Sequence, residues 1–145
     1  MNRRVPQTLY DAVFEITTAI AQPETLVGAD VDSVVAEEAR AKLVGLFQSR
    51  QAAGNPDPFL TETLADFTID DAEAVRLYRL ALDQSVAFSG EATHTKRLGL
   101  VERLIAMGRT AEAVEELDRA RRDAFAAGDT EVIKELNALA SKLVV

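Results

Sequence analysis

Apolar residues along this chain recur three and four positions apart, the spacing of one face of an α-helix. Leu9, Val13, Ile16 and Ile20 make the first such stripe and predict a helix over Thr8–Ala21, closed by Pro23. Tyr10, Phe14 and Thr17 widen this stripe, which predicts burial against more than one neighbour. After a linker over Gln22–Asp30, with Asp30, Asp32 and Ser33 as candidate N-caps, Val35, Ala39, Leu43, Leu46 and Phe47 mark a second helix reaching about Ala53. Gly54 ends it, since glycine enters the left-handed region without a Cβ penalty.

The break Asn55-Pro56-Asp57-Pro58 restarts the chain, with Asp57 as N-cap and Pro58 in the first helical position. Phe59, Leu60, Leu64 and Phe67 form a short third helix. Asp70 and Glu73 then resemble a capping box that opens a fourth helix over Asp71–Ser89. Its inward face is Ala74, Val75, Tyr78, Ala81, Leu82 and Ser85, and Leu77 and Leu80 off that face predict cover on two sides. A fifth helix is expected over Ala92–Met107, a sixth over Thr110–Ala127 with Ala113, Val114, Leu117, Ala120, Ala124 and Ala127 inward, and a seventh from Asp129 to about Leu143. The pairs Glu115–Arg119 and Asp118–Arg122 are spaced for ion pairing along the sixth. No stretch alternates at period two for long enough to be a strand, so the expected class is all-α.

One block occurs twice, as Asp71-Ala72-Glu73-Ala74-Val75 and Thr110-Ala111-Glu112-Ala113-Val114, a separation of 110 − 71 = 39 residues. Each block opens a helical run that ends on a small residue, a glycine and an acid: Ser89-Gly90-Glu91, then Ala127-Gly128-Asp129. Counting back, 71 − 39 = 32 puts a third start at Asp32. A period of this size marks stacked supersecondary units, because one short hairpin cannot bury its own apolar face.

Residues 92–129 resemble a tetratricopeptide repeat. Leu100 sits at its Leu position, Leu104 at its Tyr position, Gly108-Arg109 at its turn, and Ala113, Leu117 and Ala120 at the three places of its second helix. Ala74, Tyr78 and Ala81 match the same three places one unit earlier. The chain departs from the pattern at Arg97 (Trp-type position), Val101 (small residue) and Phe125 (Pro), and the N-terminal third matches poorly. The resemblance implies about seven helices in antiparallel hairpins, stacked as a short right-handed superhelix within a single domain over residues 1–145. Its units would be a helix pair at 8–53, hairpins at 58–89 and 92–127, and a capping helix at 129–145. It further implies binding of a protein or peptide in a groove lined by the first helix of each hairpin. Carried over by position, Thr95, Leu98 and Glu102 would face that groove; packing or simple exposure is the alternative for each.

Charge changes this picture modestly. The formal net charge is −8, split as 11 acids against 5 bases in residues 1–70 and 13 against 11 in residues 71–145. Such a field disfavours a phosphate backbone and suits a partner with a basic surface, although it also serves plain solubility. There is no cysteine, and the basic start Arg3-Arg4 leads into no apolar run, so neither disulfides nor a signal peptide are expected and a cytoplasmic setting is. No run is long enough for a membrane span.

Catalytic chemistry finds little footing. A single histidine, His94, with no cysteine rules out a Cys/His pair and a three-histidine zinc site; its expected place is on the surface or at a helix cap. Glu37-Glu38 and Glu115-Glu116 are sequence neighbours and splay apart on a helix. The seven glycines are scattered, mostly at helix ends, and are not gathered into a phosphate loop. Arg119, Arg121 and Arg122 form a basic patch, but with interleaved acids and no aromatic platform they give poor grounds for nucleic-acid binding. The expectation is a non-catalytic, cofactor-free protein-interaction module, an adaptor or client-specific chaperone. The alternatives are an acidic immunity or antitoxin-type protein that neutralises a partner, or a homo-oligomeric scaffold.

Overall fold

A computed structural model of the protein describes residues 3–18 and 29–143, with side chains from residue 34 onward in the second stretch. Seven α-helices make up the described residues: α1 (Gln7–Thr18), α2 (Ala29–Ala52), α3 (Pro58–Asp66), α4 (Asp71–Ser85), α5 (His94–Ala106), α6 (Thr110–Ala127) and α7 (Thr130–Leu143). The fold is all-α. No helix among the described residues is long and apolar enough to cross a membrane. The expected end of the first helix at Ala19–Ala21 and most of the following linker lie outside the described residues.

The starts and stops follow from local chemistry. Asp57 is extended and accepts from the Phe59 amide at 2.9 Å, with Pro58 at the head of α3. Asp70 accepts from the Glu73 amide at 3.0 Å, whereas Glu73 turns outward to Arg76, so only half of the anticipated capping box forms. Gly54, Gly90, Gly108 and Gly128 all have positive φ, and Gly128 is the left-handed C-cap of α6.

Several boundaries differ from the sequence reading. α4 ends at Ser85 rather than Ser89: the Ser85 hydroxyl donates back to the Ala81 carbonyl at 2.7 Å, and tighter i to i+3 bonds carry residues 86–88. α5 starts at His94 rather than Ala92. Asp129 precedes α7 and caps it through the Val132 amide at 3.1 Å. α2 opens at Ala29, so Asp30, Asp32 and Ser33 lie within its first turns rather than at a cap; their side chains are outside the described set. The interval from its start to that of α4 is 71 − 29 = 42, against 39 from α4 to α6, so the earlier step of the period does not hold.

Packing follows chain order: α1 touches α2 and α3, α3 touches α2 and α4, and α5 touches α4, α6 and α7. One core joins Leu9, Val13, Leu43, Leu60, Leu64, Leu77, Tyr78, Leu100 and Leu104. A second joins Val101, Leu117, Ala120, Ala124, Val132 and Leu136, with Ile105 and Leu143 packed against both. Leu77 is buried along with the Ala74–Tyr78 face, and α4 packs on both α3 and α5, whereas Leu80, also expected to be covered, is only half-buried. Val114 and Ala127 are exposed instead of inward, which narrows the α6 stripe to Ala113, Leu117, Ala120 and Ala124. Arg119 bonds Glu116 at 2.7 Å in place of Glu115, while Asp118–Arg122 forms as expected at 3.1 Å.

α5 approaches α4 closely at Gly99, two residues before Val101, where the repeat pattern wants its small residue. A Cβ built on Gly99 would stand 2.4 Å from the Tyr78 ring, whereas at Gly45 it would meet nothing within 4 Å. Gly99→Ala therefore forces Tyr78 or α5 to move and should cost about 1–3 kcal/mol. Gly45→Ala, inside α2, should stabilise by up to about 1 kcal/mol. Urea midpoints for the two variants check both signs, and a neutral Gly99→Ala would contradict the close packing.

Candidate functional site

Charge is buried where α3, the α4–α5 turn and α5 meet. The Lys96 side chain is fully buried on α5, and its ammonium donates to Glu62 at 2.8 Å, Glu91 at 2.8 Å and the Ala92 carbonyl at 2.6 Å. An ammonium has three N–H donors, and all three are used. Arg3 continues the chain of charges. Its guanidinium bonds Glu91 at 2.6 Å and both oxygens of Asp57, and it lies 4.3 Å from the Phe88 ring centroid. Its backbone amide donates to the Gly90 carbonyl at 2.9 Å. Burial alone would lower the Arg3 pKa, but the hydrogen bonds to Asp57 and Glu91 outweigh it and raise it. Asp57 thus caps α3 and holds Arg3 at once.

Above this network lies a basin of about 630 Å³. Arg3 and Val5, the α3 side chains Phe59, Glu62, Thr63 and Asp66, the turn 90–92, His94 and Thr95 at the head of α5, and the α6–α7 junction 127–130 line it. His94 is buried, not on the surface as its position at a helix start implied, and its Nε2 lies 2.9 Å from Asp129. The Asp129 carboxyl is held below its ordinary value, first by the Val132 amide and then by His94. Next to this corner Thr93 and Arg97 both donate to Asp123, each at 2.8 Å, and Arg97 also reaches Glu116 at 2.9 Å. Arg97, at the Trp-type position of the repeat pattern, thereby joins α5 to α6 by ion pairs instead of an aromatic face.

Asp66 is the unusual acid of the basin. As a residue it is solvent-facing, yet its carboxyl is packed against α4 and accepts from the Tyr78 hydroxyl at 2.5 Å. Burial, with further help from Glu62 and Glu102, raises its pKa from 3.8 to about 6, against the opposing hydrogen bond from Tyr78. Burial and the adjoining Asp66 push the Tyr78 phenol upward as well.

The three groove residues suggested by the repeat pattern separate. Thr95 lines the basin. Leu98 is partly buried and packs on the Val101–Leu117–Leu136 core. Glu102 is exposed one turn further along, where partial burial and the nearby Glu135 of α7 raise its pKa. α7 packs on α5, so the line from Thr95 to Glu102 runs from the basin towards the last helix. The acids Glu62, Asp66 and Glu91 and the bases Arg3 and Lys96 were not singled out by sequence; only their fold-brought proximity makes a site of them. No group of three or more His, Asp or Glu side chains able to hold a metal ion occurs among the described residues. What the basin offers a ligand is negative charge and hydrogen-bond acceptors over a charge-paired floor. No protein-family model, curated protein or solved structure matches the chain.

Two outcomes test this description. Lys96→Met leaves Glu62 and Glu91 buried with their shared cation gone, and should lose about 3–5 kcal/mol of stability in urea unfolding. For Asp66, the folded chain holds a proton between pH 3.8 and about 6 that the unfolded chain has released. Stability from this group therefore falls as pH rises through that window, and the penalty is complete above it. Asp66→Asn should raise the urea midpoint at pH 7 and show little advantage at pH 4; an equal effect at both values would remove the assigned cause.

Proposed function

We propose that this chain is a non-catalytic protein-binding module, a short stack of helical hairpins that receives a segment of another protein in its acidic basin. The observation that carries the reading is the basin itself: a cavity of about 630 Å³ lined by four carboxylates, Glu62, Asp66, Glu91 and Asp129, against one lining arginine, Arg3. The hairpin reading draws support from which helix ends meet. Arg97 in the first turn of α5 pairs with Asp123 late in α6, and Arg103 near the end of α5 pairs with Asp71 at the start of α4. These contacts fit α4, α5 and α6 running antiparallel in turn, as in the tetratricopeptide units that residues 92–129 resemble, and a right-handed superhelix is the arrangement that likeness suggests.

The partner in this reading is a protein or peptide with a basic surface, met in the cytoplasm, and no cofactor takes part. Nucleic acid is disfavoured because the basin repels phosphate. An adaptor, a client-specific chaperone and an immunity-type neutraliser would all present such a surface. The acid lining favours the neutraliser over a self-assembling scaffold, since two copies of a chain with net charge −8 repel. With the intact chain as bait at moderate salt, lysate of the source organism should yield one protein in near-stoichiometric amount, released as salt is raised. A folded bait that retains no protein would overturn the reading.

A further inference from the structure

Among the described residues, an apolar surface left without a partner lies beside the basin. Tyr10 and Phe14, which the helical stripe predicts to be buried, are 45% and 55% exposed. Their rings stack at 6.1 Å between centroids, and Tyr10 stacks in turn on Phe59 of α3 at 6.0 Å. Between α1 and α3 this leaves a trough of about 320 Å³, walled chiefly by Tyr10, Val13, Phe14, Phe59, Thr63 and Phe67. Leu9 and Val13 already anchor α1 in the core, so its attachment does not account for the two outer rings. Scattered apolar side chains on a surface need no explanation, but aromatic rings in series around a depression mark a place where apolar area awaits cover.

Phe59 and Thr63 wall both the trough and the acidic basin. The two depressions therefore adjoin across one edge of α3, apolar on the α1 side and acidic on the α5 side. Charge selects among possible occupants. The basin lining carries four carboxylates against Arg3, and the buried Lys96 beneath is already spent on Glu62 and Glu91. Asp66 has Tyr78 as its hydrogen-bond donor and no ion pair among the described residues, so it is the carboxylate best placed to take an incoming cation. A second copy of this acidic chain would bring acids against acids, whereas a basic segment complements the field.

We propose that trough and basin form one composite dock for a peptide segment of another protein, in which an aromatic or large aliphatic side chain enters the Tyr10–Phe14–Phe59 trough and a neighbouring lysine or arginine pairs with Asp66. This rests on the protein-binding reading above and adds the address and the chemistry of the bound segment. Burial of one large apolar side chain supplies the anchor, and the charge pair fixes register and partner choice.

A random dodecapeptide library displayed on phage, selected on the intact chain, tests it. Enriched sequences should place Phe, Tyr, Trp, Leu or Ile close to Lys or Arg. A synthetic peptide of that class should lose about tenfold in affinity on Phe14→Ala, a few-fold on Asp66→Asn, and more as salt is raised. Both positions are exposed, and circular dichroism of the two variants verifies that they fold. Enriched peptides without a basic residue, or affinities unmoved by both variants, overturn the dock. Peptides whose amide shift changes map away from α1 and α3 overturn it while leaving the protein-binding reading intact. A dimer in sedimentation that Phe14→Ala dissociates puts a second copy in the trough and overturns it too. The lysate capture judges the broader reading separately.

Discussion

The constraint on which this structure depends is the burial of one ammonium group. Lys96 is completely enclosed, and removing a charge of that size from water costs several kcal/mol unless close partners replace the lost hydration. Glu62 from α3, Glu91 from the α4–α5 turn and the Ala92 carbonyl are those partners, so three segments must arrive in register before the charge is tolerable. Glu91 and Asp57 then call for Arg3, which draws the N-terminal segment across the turn and over Phe88. A buried network of this kind is weak evidence for stability, because well-packed apolar residues of similar volume often do as well. It also offers a reason for the early end of α4: a helix running to Ser89 would have no turn at 86–90 with which to meet Arg3.

How much of this was legible in the sequence depended on whether the information was local. Helix starts written in caps and prolines, at Asp57-Pro58 and Asp71, emerged because a carboxylate two or three residues before a free amide is sufficient cause. The all-α class and the buried faces of α4 and most of α6 emerged because periodicity reports which side of a helix is wet. The period over Asp71 and Thr110 survives as two helix starts, whereas the start placed at Asp32 does not, since there only a boundary was being matched and no packing residue repeated. Arg3 read as a basic terminus and His94 as a surface or helix-capping residue. Nothing within a few positions of either reveals that Asp57, Glu91 or Asp129 will come within hydrogen-bonding distance.

The site divides along the same line. Thr95 was reachable from a repeat pattern and does line the basin, but the residues that give the basin its character come from α3, the α4–α5 turn and the α6–α7 junction. Leu98 takes the packing role that was its alternative: α7 packs on α5, and Leu98 lies partly buried against the second core. Gly99 makes the same point for packing. The small residue needed for close approach is present, but at the level of Tyr78 and not at the level the repeat pattern specifies. Tyr10 and Phe14 were read as buried because hydrophobic periodicity reports an apolar helix face and not whether the rest of the chain covers it.

These features are linked through charge. Lys96 and Arg3 point inward, each matched to acids that are themselves at least four-fifths enclosed: Glu62, Glu91 and Asp57. Two bases against three acids leave the buried network one negative charge in excess, and the fixed cations nearest the basin floor are consumed within it. Burial already raises the pKa of the Asp66 carboxyl, which also meets a negative field through Glu62 and Glu102 that the nearby Arg103, paired with Asp71, offsets only in part. Retaining a proton up to about pH 6 answers both the burial and that field; in the dock proposed above, a cationic side chain from outside would answer the field instead. The acidity of the basin is on this view a by-product of how the interior was assembled: a fold that commits its local bases to its own core presents the unmatched acids to whatever binds it.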